Sequence, residues 1–427
     1  MGRVSTTVAG VAALASLFVP DVAAQSCPGV SGRYQPKMGS GYRASVLATG
    51  LRQPRHLVID SAGNLLVAEG GSQNVRRIVL QENGDNVCAG SSSTLSGTST
   101  NHGIALSADG NTLFTSTLAN VIAYSYNPST GAVGTGKQIV QGMSNTGTHP
   151  TRAIATSKFS PDTILVARGS NGNIDTSTTD KSSGRSMIKT FSISQGQQTA
   201  HQYNTGGEVL AWGLRNIVGL TEDPVYGGIW SVENQMDDVR LSGRDIHNNN
   251  PAERLSYHGA LSGGPNGTAT NRYKGLNYGY PSCVPAWDPQ NVGLQNVVVG
   301  TLFKPDGVPN ANDCATRMPG RLHFHAHTAP LDIKFNANAT QAYIAFHGSW
   351  NRNPADGYRV MRVDFGPDGQ PVHDVSSKTA QVPVMENGNI GGCPNNCFRP
   401  VGLAFDSKGR LYVSSDTSGE IYVIYGA

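Results

Sequence analysis

Arginine, histidine and asparagine recur at matching places along this chain: Arg55-His56, Asn101-His102, His149 with Arg152, Arg215-Asn216, the run His347-Gly348-Ser349-Trp350-Asn351-Arg352, and Arg399. Most stand where an apolar, strand-like run begins; the His347 run stands where one ends. Alone, any of them reads as structural, for example a buried arginine serving backbone carbonyls. Together they describe a polar, cationic pocket suited to an anionic ligand. A histidine in such a pocket can also take a proton, since an unperturbed imidazole titrates near pH ~6.5. His149 is followed by Pro150, which fixes the next φ and biases His149 toward extended backbone. Its ring is therefore expected to project from a stiff strand start. By position alone His102, His327 and His347 rank equally with it.

These residues can meet only if the elements carrying them repeat around a centre. The stretch 54–67 aligns without a gap with 400–413, and a third copy lies at 102–114. In each, an apolar strand enters a turn containing glycine, where positive φ is easy, and a second strand leaves it. Looser copies lie at 151–167, 212–232 and 329–346, making six units. Further strand-like runs follow most of them, so each unit supplies a blade of three or four strands. The predicted fold is all-β, a six-bladed β-propeller, with residues 42–47 pairing beside 421–425 to close the ring. A β-sandwich, or a pair of them, is the alternative. The stretch 248–280, rich in Gly, Asn and Pro, reads as a long loop on one face.

Composition agrees with that class. The chain has 427 residues, 52 of them glycine, and only 14% are charged. This is the profile of a turn-rich β protein rather than a helical one. A net charge of +3 with no basic run argues against nucleic acid and anionic membranes as partners. Residues 1–24 read as a signal peptide: Arg3, a short apolar stretch, then Val22-Ala23-Ala24 before cleavage ahead of Gln25. Residues 25–427 form one domain, expected to be secreted and monomeric. The six cysteines favour three disulfides in an oxidising compartment. Sequence proximity suggests Cys27–Cys88, Cys283–Cys314 and Cys393–Cys397 among fifteen possible pairings. Asn266 and Asn338 head glycosylation acceptors. No GxGxxG supports a nicotinamide or flavin site, and no CxxCH supports a haem, so electrons are expected to leave to a separate acceptor.

Five motifs carry a resemblance: Thr148-His149-Pro150-Thr151-Arg152, Gly213-Leu214-Arg215-Asn216, Asn277-Tyr278-Gly279-Tyr280-Pro281, Ala326-His327-Thr328-Ala329-Pro330-Leu331 and His347-Gly348-Ser349-Trp350-Asn351-Arg352. In this order the sequence resembles the soluble quinoprotein glucose/sorbosone dehydrogenases, and within them the secreted fungal pyranose dehydrogenases, from about Tyr42 onward. The resemblance implies pyrroloquinoline quinone (PQQ) and calcium as cofactors and a pyranose as substrate. It makes His149 the general base and Arg215 the stabiliser of charge developing on the quinone. It makes Arg55, Arg215, Asn216, His347, Trp350, Asn351 and Arg399 cofactor contacts. PQQ, a planar tricarboxylate, needs cations and a flat wall, which the arginines and Trp350 offer. Calcium is expected on the segment Val232-Glu233-Asn234-Gln235, with Glu233 and Asn234 as ligands, although the family's Gly-Pro carbonyl pair is absent. Asp237-Asp238 reads as a second oxygen site or, more plainly, a solvated turn. Two rivals are a calcium-dependent sugar lactonase and a non-catalytic glycan-binding propeller.

Overall fold

The computed structural model describes residues 30–144, 147–261, 271–310 and 313–427. The leader, Cys27 and Asn266 lie outside them. Six sheets stand in a ring, each with its first strand innermost and antiparallel apart from a short parallel outermost pair in the second and third. Those inner strands are Pro54–Ile59, Ile104–Leu106, Ile154–Thr156, Asn216–Glu222, Pro330–Phe335 and Pro400–Phe405, and they head blades one to six. Blade six takes its outermost strand, Arg43–Ala48, from the start of the domain, paired with Glu420–Tyr425. This is the closure expected from the sequence.

The turn chemistry of the repeat explains its regularity. In blade one Gly63 N–H reaches Asp60 O at 2.9 Å, and the Asp60 carboxylate accepts from the N–H groups of Ala62 and Asn64. In blade six Gly409 and Asp406 repeat the arrangement, with Lys408 and Arg410 as donors. Both glycines have positive φ, +81° and +76°. An aspartate satisfying its own turn thus sets the hairpin register locally.

Packing is between blades. Leu66, Ala68 and Val75 of blade one meet Ile104, Leu113 and Tyr124 of blade two. Equivalent clusters fill the junctions of blades two–three, three–four, four–five, five–six and six–one. The strands read as continuous apolar runs because both faces of each sheet are covered.

Inner-strand bulges shape the channel. Register shifts lie between Pro54/Leu57, Ile217/Gly219, Pro330/Asp332 and Pro400/Leu403. Val218, Leu331 and Val401, at these bulges, pack together on the axis. His56 and His102 complete this plug, their rings 4.0 Å apart and their Nε2 atoms on the carbonyls of Leu331 and Val218. The channel is filled below its mouth.

The stretch 248–280 corrects the sequence reading. It contains the third strand of blade four, Glu253–Ala260. Glu253, Arg254, Ser256 and His258 are all buried there, so the alternation that marks a strand was hidden by polar residues. The surrounding insertion has its own small core, including Met236, Ile246, Tyr280, Val284 and Phe303, and the Cys283–Cys314 disulfide. Cys393–Cys397 is also bonded. No helix among the described residues is long and apolar enough to cross a membrane.

Candidate functional site

In an antiparallel blade the second strand leaves where the first begins. One mouth of the ring therefore collects both the starts of the inner strands and the loops that follow the second strands. The starts bring Arg55, His149, Arg215, His327 and Arg399. The loops bring Ser170 and Asn173 from blade three, Asp237 and Asp238 from blade four, His347 to Asn351 from blade five, and Asp416 from blade six.

Hydrogen bonds tie these groups into an arc around the mouth. Arg55 donates from Nε to His102 Nδ1 at 3.1 Å and from Nη1 to Asp416 Oδ2 at 2.6 Å. His347 Nε2 donates to Asp416 Oδ1 at 2.9 Å. Arg399, almost wholly buried, donates to the carbonyls of His347 and Gly348 and lies 4.0 Å under the Trp350 ring. Trp350 is 72% exposed, a flat wall standing at the mouth. Asn351 Nδ2 bonds Asp238. Arg215 donates to Asp237 Oδ2 at 2.8 Å and to Asn173.

The hydrogen bonds fix the protonation of each histidine. His149 Nδ1 lies 2.9 Å from Ser170 O, and a carbonyl only accepts. Nδ1 therefore carries the hydrogen, which leaves the lone pair of Nε2 as acceptor, with no partner among the described residues. Burial and then the Arg215 charge lower its pKa to about 4, so the ring is neutral across the ordinary range. His102 has both nitrogens spent, on Arg55 and Val218 O. His327 faces Asp237 through Nδ1 and His247 O through Nε2. Burial alone would lower its pKa, but the Asp237 hydrogen bond and the Glu253 charge outweigh that and raise it. His347 has committed its Nε2–H to Asp416, keeping only the backbone-side nitrogen. Four histidines that the sequence left equal are thus chemically distinct, and of the four His149 alone presents an outer nitrogen with no partner among the described residues.

The mouth is less bare of acid than a purely cationic pocket. Asp416 lies half-buried between Arg55 and His347; desolvation would raise its carboxyl pKa, but those two partners hold it well below the carboxylate range. Asp237 is likewise held at about 2, where burial is outweighed by His327 and Arg215. Nonetheless Arg55 Nη2, Arg215 Nη1 and Arg399 Nη1 have no partner among the described residues, so each arginine keeps a donor to offer. With Trp350 as wall, this donor set fits a planar polycarboxylate.

The oxygen ligands are corrected. Glu233 is fully buried, with Arg254 at 2.6 Å and the Arg215 N–H at 2.5 Å on its carboxylate, so its side chain is not a free ligand. Asn234 donates Nδ2 to Pro330 O at 2.7 Å and keeps its carbonyl oxygen. Asn216 Oδ1 and both polar atoms of Gln235 are buried without a partner, a condition that calls for a ligand. No group of three or more His, Cys, Asp or Glu suited to a metal occurs among the described residues. A calcium ion, which takes 6–8 oxygens, fits here only with amide and backbone carbonyls of 234–238 and with oxygens from a cofactor or water. Arg152 is a structural arginine, serving the carbonyls of Met143, His149 and Thr151. Asp416, Ser170 and Asn173 were missed by sequence reasoning; they lie in polar turns with no local mark of function.

A family model described as TrAA12-like matches residues 36–427. The chain is 41% identical over 399 residues to a pyrroloquinoline quinone-dependent sugar dehydrogenase of Hypocrea jecorina, covering 91% of this chain and 89% of that protein. It is 36% identical to a pyrroloquinoline quinone-dependent pyranose dehydrogenase of Coprinopsis cinerea, covering 93% of this chain but only 56% of that longer protein. Among solved structures, the calcium structure of a Trichoderma reesei family AA12 enzyme superposes with a TM-score of 0.87 at 38% identity, covering 94% of this chain and 100% of that one. The holo form of the PQQ domain of the Coprinopsis cinerea pyranose dehydrogenase superposes at 0.85 with 36% identity, covering 93% and 99%. With the family model spanning residues 36–427, this chain belongs to the TrAA12-like family.

Proposed function

We propose that the chain oxidises a pyranose sugar at its anomeric carbon, with PQQ and calcium held across the propeller mouth and His149 as general base. The coarser activity, PQQ-dependent sugar dehydrogenase, rests on family membership and on relatives of that name. The finer reading is supported by one observation: His149 is buried and its tautomer is fixed by Ser170 O, which leaves Nε2 as an acceptor without a partner among the described residues.

Arg55, Arg215 and Arg399 would hold the carboxylates and quinone oxygen of PQQ through their free terminal nitrogens, each charge-assisted contact contributing about 1.5–3 kcal/mol. Trp350 would cover the ring plane, and Asn216, His347 and Asn351 would contact its polar edge. When bound, PQQ supplies the hydride acceptor and calcium the Lewis acid beside it. His149 Nε2 takes the proton of the anomeric hydroxyl as the C–H electron pair leaves, and the Ser170 carbonyl steadies the imidazolium through Nδ1. Arg215, held by Asp237 and Asn173, presents positive charge where negative charge develops, without reorganising.

The reading extends to a secreted monomer with residues 1–24 removed, one propeller over 25–427, and electrons passed to an external acceptor. Two disulfides in the described residues support an oxidising compartment. The reconstitution experiment is direct. Apoprotein given PQQ and calcium should gain sugar-dependent dye reduction, and a chelator should remove it. Absence of PQQ binding to folded apoprotein, read by calorimetry, would overturn the reading.

A further inference from the structure

An open cleft of about 770 Å³, formed by the insertion with His325 and Lys378, takes no part in the chemistry above. Asn249, Trp287, Asp288, Gln290, His325 and Lys378 line it together with an apolar strip at 297–299. The volume is that of a small-ligand site rather than a packing defect. We propose that it binds a pyranose unit of a glycan chain, a second sugar subsite outside the reaction centre; the inference rests on the sugar-dehydrogenase reading for its role in turnover.

The site is built rather than incidental. Asn250 Oδ1 accepts the N–H groups of Trp287 and Asp288 at 2.9 and 3.1 Å, and its Nδ2 donates to Asp288 O. Asn250 is fully buried, so the turn presenting Trp287 is pinned from below. The Cys283–Cys314 disulfide and the insertion's own core hold the same segment.

The donor and acceptor pattern suits a polyhydroxylated ligand. The half-buried Trp287 gives an aromatic surface for the apolar faces of a sugar ring, and its Nε1–H has no partner among the described residues. Lys378 Nζ lies 5.3 Å over the indole and has no carboxylate partner among the described residues, so it is a donor a hydroxyl can engage. His325 gives Nδ1 to Asp356 at 2.5 Å, and its ring packs 5.3 Å from the Trp287 indole with Nε2 unpartnered among the described residues. Gln290 adds an amide along the rim, and Asp288 keeps acceptor lone pairs beyond those taken by Asn249 Nδ2 and the Asn291 N–H. Bare aromatic ligands would use the indole and leave this rim unpaired, at a desolvation cost.

Position ties the cavity to the reaction. Arg352, one residue beyond Asn351, clamps the Asn248 carbonyl and the Asn249 side chain. His325 is two residues from His327, which faces Asp237 in the mouth. A chain whose reducing end enters the mouth would find the cavity next along that rim.

The test separates subsite from enzyme. Methyl-capped tetrasaccharides of β-1,4-linked glucose, xylose and N-acetylglucosamine have no anomeric hydroxyl, so calorimetry with PQQ-loaded protein reads binding without turnover. At least one should bind, Trp287→Ala should weaken it roughly tenfold or more, and Trp287→Phe should recover most of the loss. In turnover, Trp287→Ala should raise KM for the matching uncapped tetrasaccharide while leaving monosaccharide oxidation unchanged. No binding by any capped glycan, or binding indifferent to Trp287→Ala with the fold intact by circular dichroism, would overturn the subsite. Capped-glycan binding that depends on Trp287 in a protein oxidising no sugar would keep the subsite and remove the enzyme reading instead.

Discussion

At the scale of residues, the function turns on what each histidine's second nitrogen touches. The sequence shows four histidines near strand starts and cannot rank them, because tautomer and charge are set by partners far away in the chain. Ser170 O fixes His149, Asp416 fixes His347, and Asp237 with His247 O holds His327. The expected titration near 6.5 also shifts, since burial and Arg215 favour neutral His149. Because the base must be neutral, kcat/KM should be flat through neutral pH and fall only as pH drops through about 4. Arg215→Met removes a charge that lowers this pKa, so the His149 resonance of apoprotein should titrate at higher pH by NMR. An unchanged titration would mean that Arg215 does not act on the ring.

At the scale of elements, strands and turns were largely legible and their aim was not. The turn into glycine, opened by Asp60, Ser107 and Asp406, is local chemistry, so blades one, two and six could be read directly. The bulges depend on how neighbouring inner strands meet, and they send His56 into the plug while Arg55 reaches the mouth. Glu253–Ala260 was hidden because its polar residues are buried in pairs such as Arg254–Glu233. Gly402 marks a close approach between blades six and one: a Cβ there would lie 2.2 Å from Arg55 O and 2.8 Å from His56 Cα. Gly402→Ala should therefore cost roughly 1–3 kcal/mol in denaturant melts and weaken PQQ binding by displacing Arg55. Gly388→Ala, whose Cβ meets only Gln35 O at 3.6 Å, should change neither.

At the scale of the whole molecule, closure of the ring couples the first strand of the domain to the last blade. Leu47 is fully buried between blades six and one, packed with Ile421, Val423 and Leu57. Leu47→Ala should lower unfolding stability by about 2–5 kcal/mol, although the strand is remote from the mouth and touches no proposed ligand. A loss no larger than that of an exposed site, such as Val372→Ala at 59% exposure, would show that closure does not stabilise the ring. The sequence predicted this closure because six repeats with one strand left over admit few alternatives. It could not show that the channel is plugged, which confines ligands to the mouth and gives the insertion its place beside them.

The central claim is that the mouth binds PQQ while His149 moves the proton, and these two roles separate in one variant. His149→Ala, reconstituted with PQQ and calcium and with occupancy read from PQQ absorbance, should bind the cofactor as wild type does. Its sugar oxidation should fall by roughly two to four orders of magnitude, the usual contribution of a general base, and the acid limb near pH 4 should disappear. Near-normal turnover at full occupancy would contradict the account and move the base to another residue of the mouth.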